Sequence, residues 1–315
     1  MDHERVVRHP IVDTETHVFV RAWPLATNPH MSAVDPYTRT EHSGALLVAE
    51  LDRAHVDHAI VIGYDGYDFP QFMARFDSSP GDYMGGRAYT RGWTERYPGR
   101  LHYVTTLFHP RTPWWIESLV QELDAGALGA KIFPAYLRLA PDSPEIRAAF
   151  DLLRDRQRAA VFGFEDTAPP ETPSLASYHE SVGQLASDYP TVPIQLNHGA
   201  NALPDGGEFS TLCHIVAECS NILVSTSVLG GPMMEWEDEW RYPFPRYLEK
   251  LSRFVDTIPP EQLAWATDWP WFEGQVKYPQ LLESILAHAG FFTEAGKRAY
   301  LGGNAIRHWR LGEAS

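Results

Sequence analysis

The chain has 315 residues, 44% hydrophobic, 12% aromatic and 21% charged, which excludes a disordered polymer and supplies a large core. Acidic residues outnumber basic ones by 41 to 26, for a formal charge of −15; no basic run overrides that field, so nucleic acid and anionic membranes are excluded as expected partners. No run reaches membrane-spanning length, the start MDHERVVRHP has no apolar export core, and the cysteines are Cys213 and Cys219 alone, so a cytoplasmic, reducing setting is expected.

Along the chain, short β-rich apolar runs alternate with helical patterns. The first run, 11–12, leads to Asp13, Glu15 and His17. Further runs fall at 58–63 (HAIVIG), 101–107 (LHYVTTL), 128–133 (LGAKIF), 160–164 (AVFGF), 192–197 (VPIQLN), 222–226 (ILVST) and 263–267 (LAWAT). Helical spacing is read at 44–55, 87–97, 113–124, 143–158, 174–189, 210–219, 245–257 and 279–289, with a last helix after Thr293, a predicted N-cap. Eight strands, each followed by a helix, predict an α/β fold: a (β/α)8 TIM barrel forming one domain over 1–315. A doubly wound sheet is the alternative, but neither GxGxxG nor GxxxxGK[ST] occurs.

Barrel enzymes carry their reacting groups at the C-terminal ends of strands. Here those ends bear Glu15 and His17, Lys131, Glu165, His198 and Asp268. Glu15 and His17 flank Thr16, so strand alternation turns both inward, where a carboxylate and an imidazole can share one divalent ion. His198 closes VPIQLNH, either as a ligand or proton carrier or as a cap on its loop. Asp268 closes LAWATD, either as a ligand and proton acceptor or as the start of a turn. Lys131 lies inside an apolar strand, where a bare charge is costly, so it is expected to hold a substrate carboxylate or to pair with Glu165, with an exposed strand edge as the alternative. Trp236, Trp240, Tyr242, Trp269, Trp271 and Phe272 follow the last two strands, and Tyr136 follows the fourth. Trp236, Trp269, Trp271 and Tyr136 are the expected substrate walls, with loop packing as the alternative.

These motifs resemble the amidohydrolase-related family, which includes aminocarboxymuconate semialdehyde decarboxylase and pyrone dicarboxylate lactonase. The resemblance runs through IVDTETHVF, LLVAELDRAHVDHAIVIG, GALGAKIFP, QLNHGA, ATDWPWF and LGGNAIRHW, nearly the whole chain. It implies that Glu15 and His17 are metal ligands, that Asp268 is a ligand or catalytic base, and that His198 is an acid/base or substrate contact. It implies a divalent ion, zinc or manganese. Most relatives carry a metal-binding histidine after the fifth strand; here VFGFEDT places Phe164 or Glu165 there. Either Glu165 replaces that ligand or the protein works without metal, as some lactonases of the family do.

The expected activity is hydrolysis of a small lactone or related cyclic ester or amide, with Asp268 as general base, His198 polarising the carbonyl or protonating the leaving group, and Lys131 orienting an anionic group. The alternatives are non-oxidative decarboxylation of an aromatic or unsaturated acid by the same residues, and a catalytically inactive binding barrel. The expected partner is a small carboxylated or cyclic molecule, with homo-oligomerisation, common among relatives, left open.

Overall fold

Alternation along each strand divides the core into two layers. One set of side chains, including Ala59, Val61, Tyr103, Ile132, Phe162, Leu196 and Val224, packs beneath surrounding helices. The other set, including Val12, Ile60, Ile62, Val104 and Val161, packs on itself inside the ring. This is what a sheet closed on itself requires. The structure is a computed structural model and describes residues 9–20, 41–63, 85–164, 174–204, 206–227, 241–270 and 276–312.

The strands are β1 (Val12–Thr16), β2 (His58–Ile62), β3 (Leu101–Thr106), β4 (Gly129–Ile132), β5 (Ala159–Phe162), β6 (Ile194–Leu196), β7 (Ile222–Ser225) and β8 (Leu263–Ala264). They pair in parallel in sequence order. The ring closes between the last strand segment and the first: His17 N–H donates to the Trp269 carbonyl at 2.7 Å, and Asp268 N–H to the Glu15 carbonyl at 2.9 Å. The expected barrel is therefore present.

Its helices include α1 (Gly44–Ala54), α2 (Gly86–Arg96), α3 (Trp115–Asp124), α4 (Pro134–Leu137), α5 (Pro144–Asp155), α6 (Leu175–Asp188), α7 (Gly207–Glu218), α8 (Pro245–Thr257), α9 (Tyr278–His288), α10 (Glu294–Arg298) and α11 (Asn304–Trp309). Ser43, Ser143, Ser174 and Thr293 each accept a backbone N–H from their own first turn, satisfying a donor that the helix leaves unpaired. Among the described residues no helix is long and apolar enough to cross a membrane. Cys213 and Cys219 are free thiols.

The closing LGGNAIRHW motif is structural. Asn304 Nδ2 donates to the Pro260 and Leu263 carbonyls, both at 2.7 Å, holding α11 to the start of β8. Trp309 and Ala305 then join the inner apolar layer. Gly302 lets this segment lie against the chain ahead of β1: a Cβ there would stand 2.0 Å from the Pro10 carbonyl oxygen. Gly302→Ala is therefore expected to cost about 2 kcal/mol or more, because backbone rather than a mobile side chain must yield. Urea denaturation measures it; a loss below about 0.5 kcal/mol would contradict this packing.

Lower on the inner face, His102 on β3 stands beside Ile60 of β2 in register. Its Nε2 lies 3.3 Å from His58 Nδ1, which donates to the Gly99 carbonyl at 2.7 Å. Burial, with the neighbouring His58, lowers the His102 pKa from 6.5 to about 4. The unfolded chain thus binds this proton near pH 6.5 while the folded one resists it. The His102 contribution is intact above about pH 6.5 and is lost as pH falls toward about 4. Melting temperature is expected to fall across that window, and to fall less in His102→Gln.

Candidate active site

Residues of β1 with the same parity do not share a face. The β1–β2 register shifts between Asp13 and Thr16, an irregularity of the bulge kind that re-aims side chains. Asp13 is turned toward β8 and α9, where it accepts Thr267 Oγ1 at 2.6 Å, Thr267 N–H at 3.0 Å and Tyr278 Oη at 2.8 Å. Burial pushes its carboxyl up to about 7, while those bonds and the Glu15 N–H act against the shift. Beyond the irregularity, Glu15 and His17 point into the barrel as expected.

Glu15 is fully buried and gathers donors from three other strand ends. Lys131 Nζ of β4 lies 2.7 Å from its Oε1. Asn197 Nδ2, just past β6, donates to the same oxygen. Ser227 Oγ, two residues past β7, donates to Oε2 at 2.8 Å. His198 Nε2 stands 3.5 Å from Oε1. Burial alone would raise the Glu15 pKa, but His198, Lys131 and His17 overcome it and hold the carboxyl at about 2. The Lys131 ammonium and the Asn197 and Ser227 donors favour the carboxylate form of Glu15.

Glu15 also ends a polar column up the barrel axis. Trp309 Nε1 donates to Gln195 Oε1 at 3.0 Å, Gln195 Nε2 to Asn197 Oδ1 at 2.7 Å, and Asn197 to Glu15. The column joins the plugging helix α11 to the rim, and buried polar groups placed this way are satisfied rather than orphaned.

His17 and Asp268 form the second half of the site. His17 Nδ1 is 3.0 Å from the Ile62 carbonyl, and Nε2 is 3.0 Å from Asp268 Oδ1. A carbonyl only accepts, so Nδ1 carries a hydrogen. A neutral ring would then aim its Nε2 lone pair at a carboxylate oxygen. In a dry interior that contact demands a positive charge between the two atoms, either a proton or a metal ion. Glu15, His17 and Asp268 each offer a ligand atom within 4.8 Å of the others. An imidazole whose other nitrogen is tied to a carbonyl, beside two carboxylates, fits a divalent ion in donor chemistry.

The backbone is strained at these strand ends. His198, Gly199, Ala200 and Asn201 all have φ between 54 and 59°, and Asp268 has φ 58°. Elsewhere His55, Arg138 and Arg310 adopt such angles as C-caps of α1, α4 and α11, where helix termination accounts for them. Four successive left-handed residues have no such explanation, and strain of this kind concentrates where side-chain placement matters more than stability. His179 of α6 braces the turn, with Nε2 2.9 Å from the Ala200 carbonyl.

Thus Glu15, His17, Lys131, His198 and Asp268 come together at the C-terminal rim. Lys131 pairs with Glu15. Trp269, one residue from Asp268, alternates to the outer layer, its ring edge-on to His42 at 5.3 Å. Tyr136 of α4 stacks obliquely on Phe133, whose ring centroid is 4.8 Å from Lys131 Nζ. Phe164 lies in the outer layer against Tyr178 and His179. Glu165, Trp236, Trp240, Trp271 and Phe272 lie outside the described residues. The sequence reading missed Asn197, Ser227, Gln195 and Asp13.

Several solved structures share the fold. A protein described as a probable 2-pyrone-4,6-dicarboxylic acid hydrolase from Acinetobacter baumannii is 13% identical, with a TM-score of 0.64 over 95% of this chain and 99% of that one. A 5-carboxyvanillate decarboxylase from Sphingomonas paucimobilis is 16% identical, with a TM-score of 0.62 over 96% and 100%. An amidohydrolase from Burkholderia multivorans with bound zinc is 13% identical, with a TM-score of 0.66 over 96% and 99%. At these identities the likeness carries the fold alone. Among curated proteins no sequence matches this one. Residues 87–311 match the family described as Amidohydrolase, well over half of the chain and including β3 through α11. The chain belongs to the amidohydrolase family of enzymes.

Proposed function

We propose that this enzyme hydrolyses a small lactone or a related cyclic ester or amide at the C-terminal mouth of the barrel. The observation that carries this reading is the Asp268 carboxylate, held inward on a strained strand end with Oδ1 fixed at 3.0 Å by His17. A fixed carboxylate beside an imidazole is what water activation needs. Water attacks the carbonyl carbon as Asp268 takes one of its protons. The bond from that carbon to the ring oxygen then breaks, and His198 passes a proton to the departing oxygen. Lys131 and Asn197 keep Glu15 ionised and in place, so the negative charge beside both histidines is constant through the cycle. His17 Nε2, Asp268 and Glu15 are the atoms that would hold a divalent ion, zinc or manganese, which when bound lowers the pKa of water to about 7 and polarises a carbonyl.

The substrate proposed is small and cyclic, carrying a carboxylate or another acidic group. Decarboxylation of an unsaturated acid is the second reading, favoured by the fold shared with the carboxyvanillate enzyme; the same two groups would then protonate carbon. A panel of carboxylated and neutral lactones, with acid release followed at constant pH and carbon dioxide measured in parallel, separates the two. Ring opening without carbon dioxide is expected. Carbon dioxide from hydroxybenzoates, with every lactone untouched, would overturn the hydrolytic reading.

A further inference from the structure

We propose that Asp13, Thr267 and Tyr278 form a positioning unit that locks the main chain around Asp268, so that the aim of its carboxylate is set from behind the strand. Asp268 sits in the left-handed region, with φ 58°. A residue with a side chain holds that conformation only where its surroundings impose it. The peptides on both sides of Asp268 are pinned, and both pins lead to Asp13. The Thr267 N–H donates to Asp13 Oδ1 at 3.0 Å, and Thr267 Oγ1 donates to Oδ2 at 2.6 Å. The same hydroxyl accepts the Trp269 N–H at 3.1 Å. The Asp268 N–H donates to the Glu15 carbonyl at 2.9 Å, and the Glu15 N–H donates to Asp13 Oδ1 at 3.2 Å. The main-chain donors of residues 267, 268 and 269 are thus tied to Asp13 directly, through Glu15 and through Thr267 Oγ1. Tyr278 of α9 holds the far side, its Oη donating to Asp13 Oδ2 at 2.8 Å.

Asp13, Thr267 and Tyr278 are all buried. Main-chain N–H groups only donate, so the bonds from residues 15 and 267 need an oxygen at Oδ1 and hold whatever the charge of the Asp13 carboxyl. Asp13 acts through Asp268, which makes it a positioning residue rather than a catalytic one. The consequence is geometric: a turn of the 268 peptide carries the side chain with it, and a misplacement of about 1 Å at reacting atoms is enough to cost about 100-fold in rate. The register shift in β1 serves this arrangement, because it sends Asp13 to β8 and α9 while Glu15 and His17 stay inside the barrel. The effect on turnover rests on the hydrolytic reading, in which Asp268 is the base; the lock on the chain does not.

The test is a set of conservative variants followed by kinetics and crystallography. Thr267→Val removes the hydroxyl that joins Trp269 to Asp13 and keeps the side-chain volume. Tyr278→Phe removes one donor and keeps a ring packed edge-on to Trp265. On a lactone that the wild type opens, Thr267→Val should lower kcat about 10- to 100-fold and Tyr278→Phe about 3- to 10-fold, with KM changed less than about threefold in both. Thr267→Ser, which keeps the hydroxyl and loses the methyl, should recover kcat to within about threefold of the wild type; a role in packing alone would leave serine no better than valine. In crystals of Thr267→Val the Asp268 carboxylate should be displaced by about 0.5 Å or more. An unchanged kcat in Thr267→Val, a Thr267→Ser as slow as Thr267→Val, or a smaller displacement would each overturn the proposal. If Thr267→Val does not fold, Tyr278→Phe decides by the same readouts. The crystal structures require no substrate, so failure of every lactone would strike the hydrolytic reading and leave the lock to be decided by the position of Asp268.

Discussion

Asp268→Asn is expected to reduce kcat/KM for ring opening by about 10²- to 10⁴-fold while leaving the protein folded. The loss follows because an amide does not take a proton from water. The fold survives because the Asn amide donates to His17 Nε2, whose other nitrogen already donates to the Ile62 carbonyl at 3.0 Å. The substitution therefore satisfies His17 as a neutral ring and removes the need for a positive charge between residues 17 and 268. For the same reason the variant should bind zinc or manganese less tightly than the wild type, by about 10-fold or more. Steady-state kinetics, circular dichroism and metal titration check the three parts. Full activity in a folded Asp268→Asn protein would remove Asp268 as the base.

Lys131→Met is expected to cost about 3–5 kcal/mol of stability, the largest single loss in the barrel interior. The lysine and Glu15 are 2% and 0% exposed, and their atoms are 2.7 Å apart. Methionine fills a similar volume but leaves a buried carboxylate with hydrogen bonds from Asn197 and Ser227 in place of its counter-charge. Glu15→Gln alone removes the carboxylate opposite the ammonium and should also be costly. The double variant removes both charges, so its loss should be well below the sum of the two single losses, a coupling of about 1–3 kcal/mol by denaturant unfolding. Additive losses would mean that the two side chains do not act as a pair.

The barrel and the ionisable part of the site were legible because both rest on period. Apolar runs separated by helical spacing number the strands, and the residues closing those runs face the mouth whatever the loops do. That reasoning places Glu15, His17, Lys131, His198 and Asp268 together. Asn197 and Ser227 escaped it because neither residue type carries a charge and both are common at turns. The available signal was alternation: Gln195 and Asn197 alternate with Ile194 and Leu196. A polar period of two inside buried strands marks a polar barrel interior. Asp13 escaped for the opposite reason. It shares the parity of Glu15 and His17, and only the register shift in β1 turns it out toward Thr267 and Tyr278. For Lys131, charge demanded a partner but spacing did not choose it; Glu15 lies 116 positions away in sequence, and only ring closure brings it near. Alternation also sends Trp269 away from Asp268, so an aromatic adjacent to a reacting group in sequence need not line its pocket.

The fold also offers a different cavity, of about 460 Å³, between the start of α2 and α3, lined in part by Arg87, Phe108, Trp114 and Glu122. A crystal structure of Asp268→Asn with an unreacted lactone that the wild type opens tests most directly whether chemistry happens at the rim. The account predicts the lactone carbonyl within hydrogen-bonding reach of residue 268 or His198, above the Glu15–Lys131 pair. A lactone seated instead between α2 and α3, with the rim empty of it, would contradict the account.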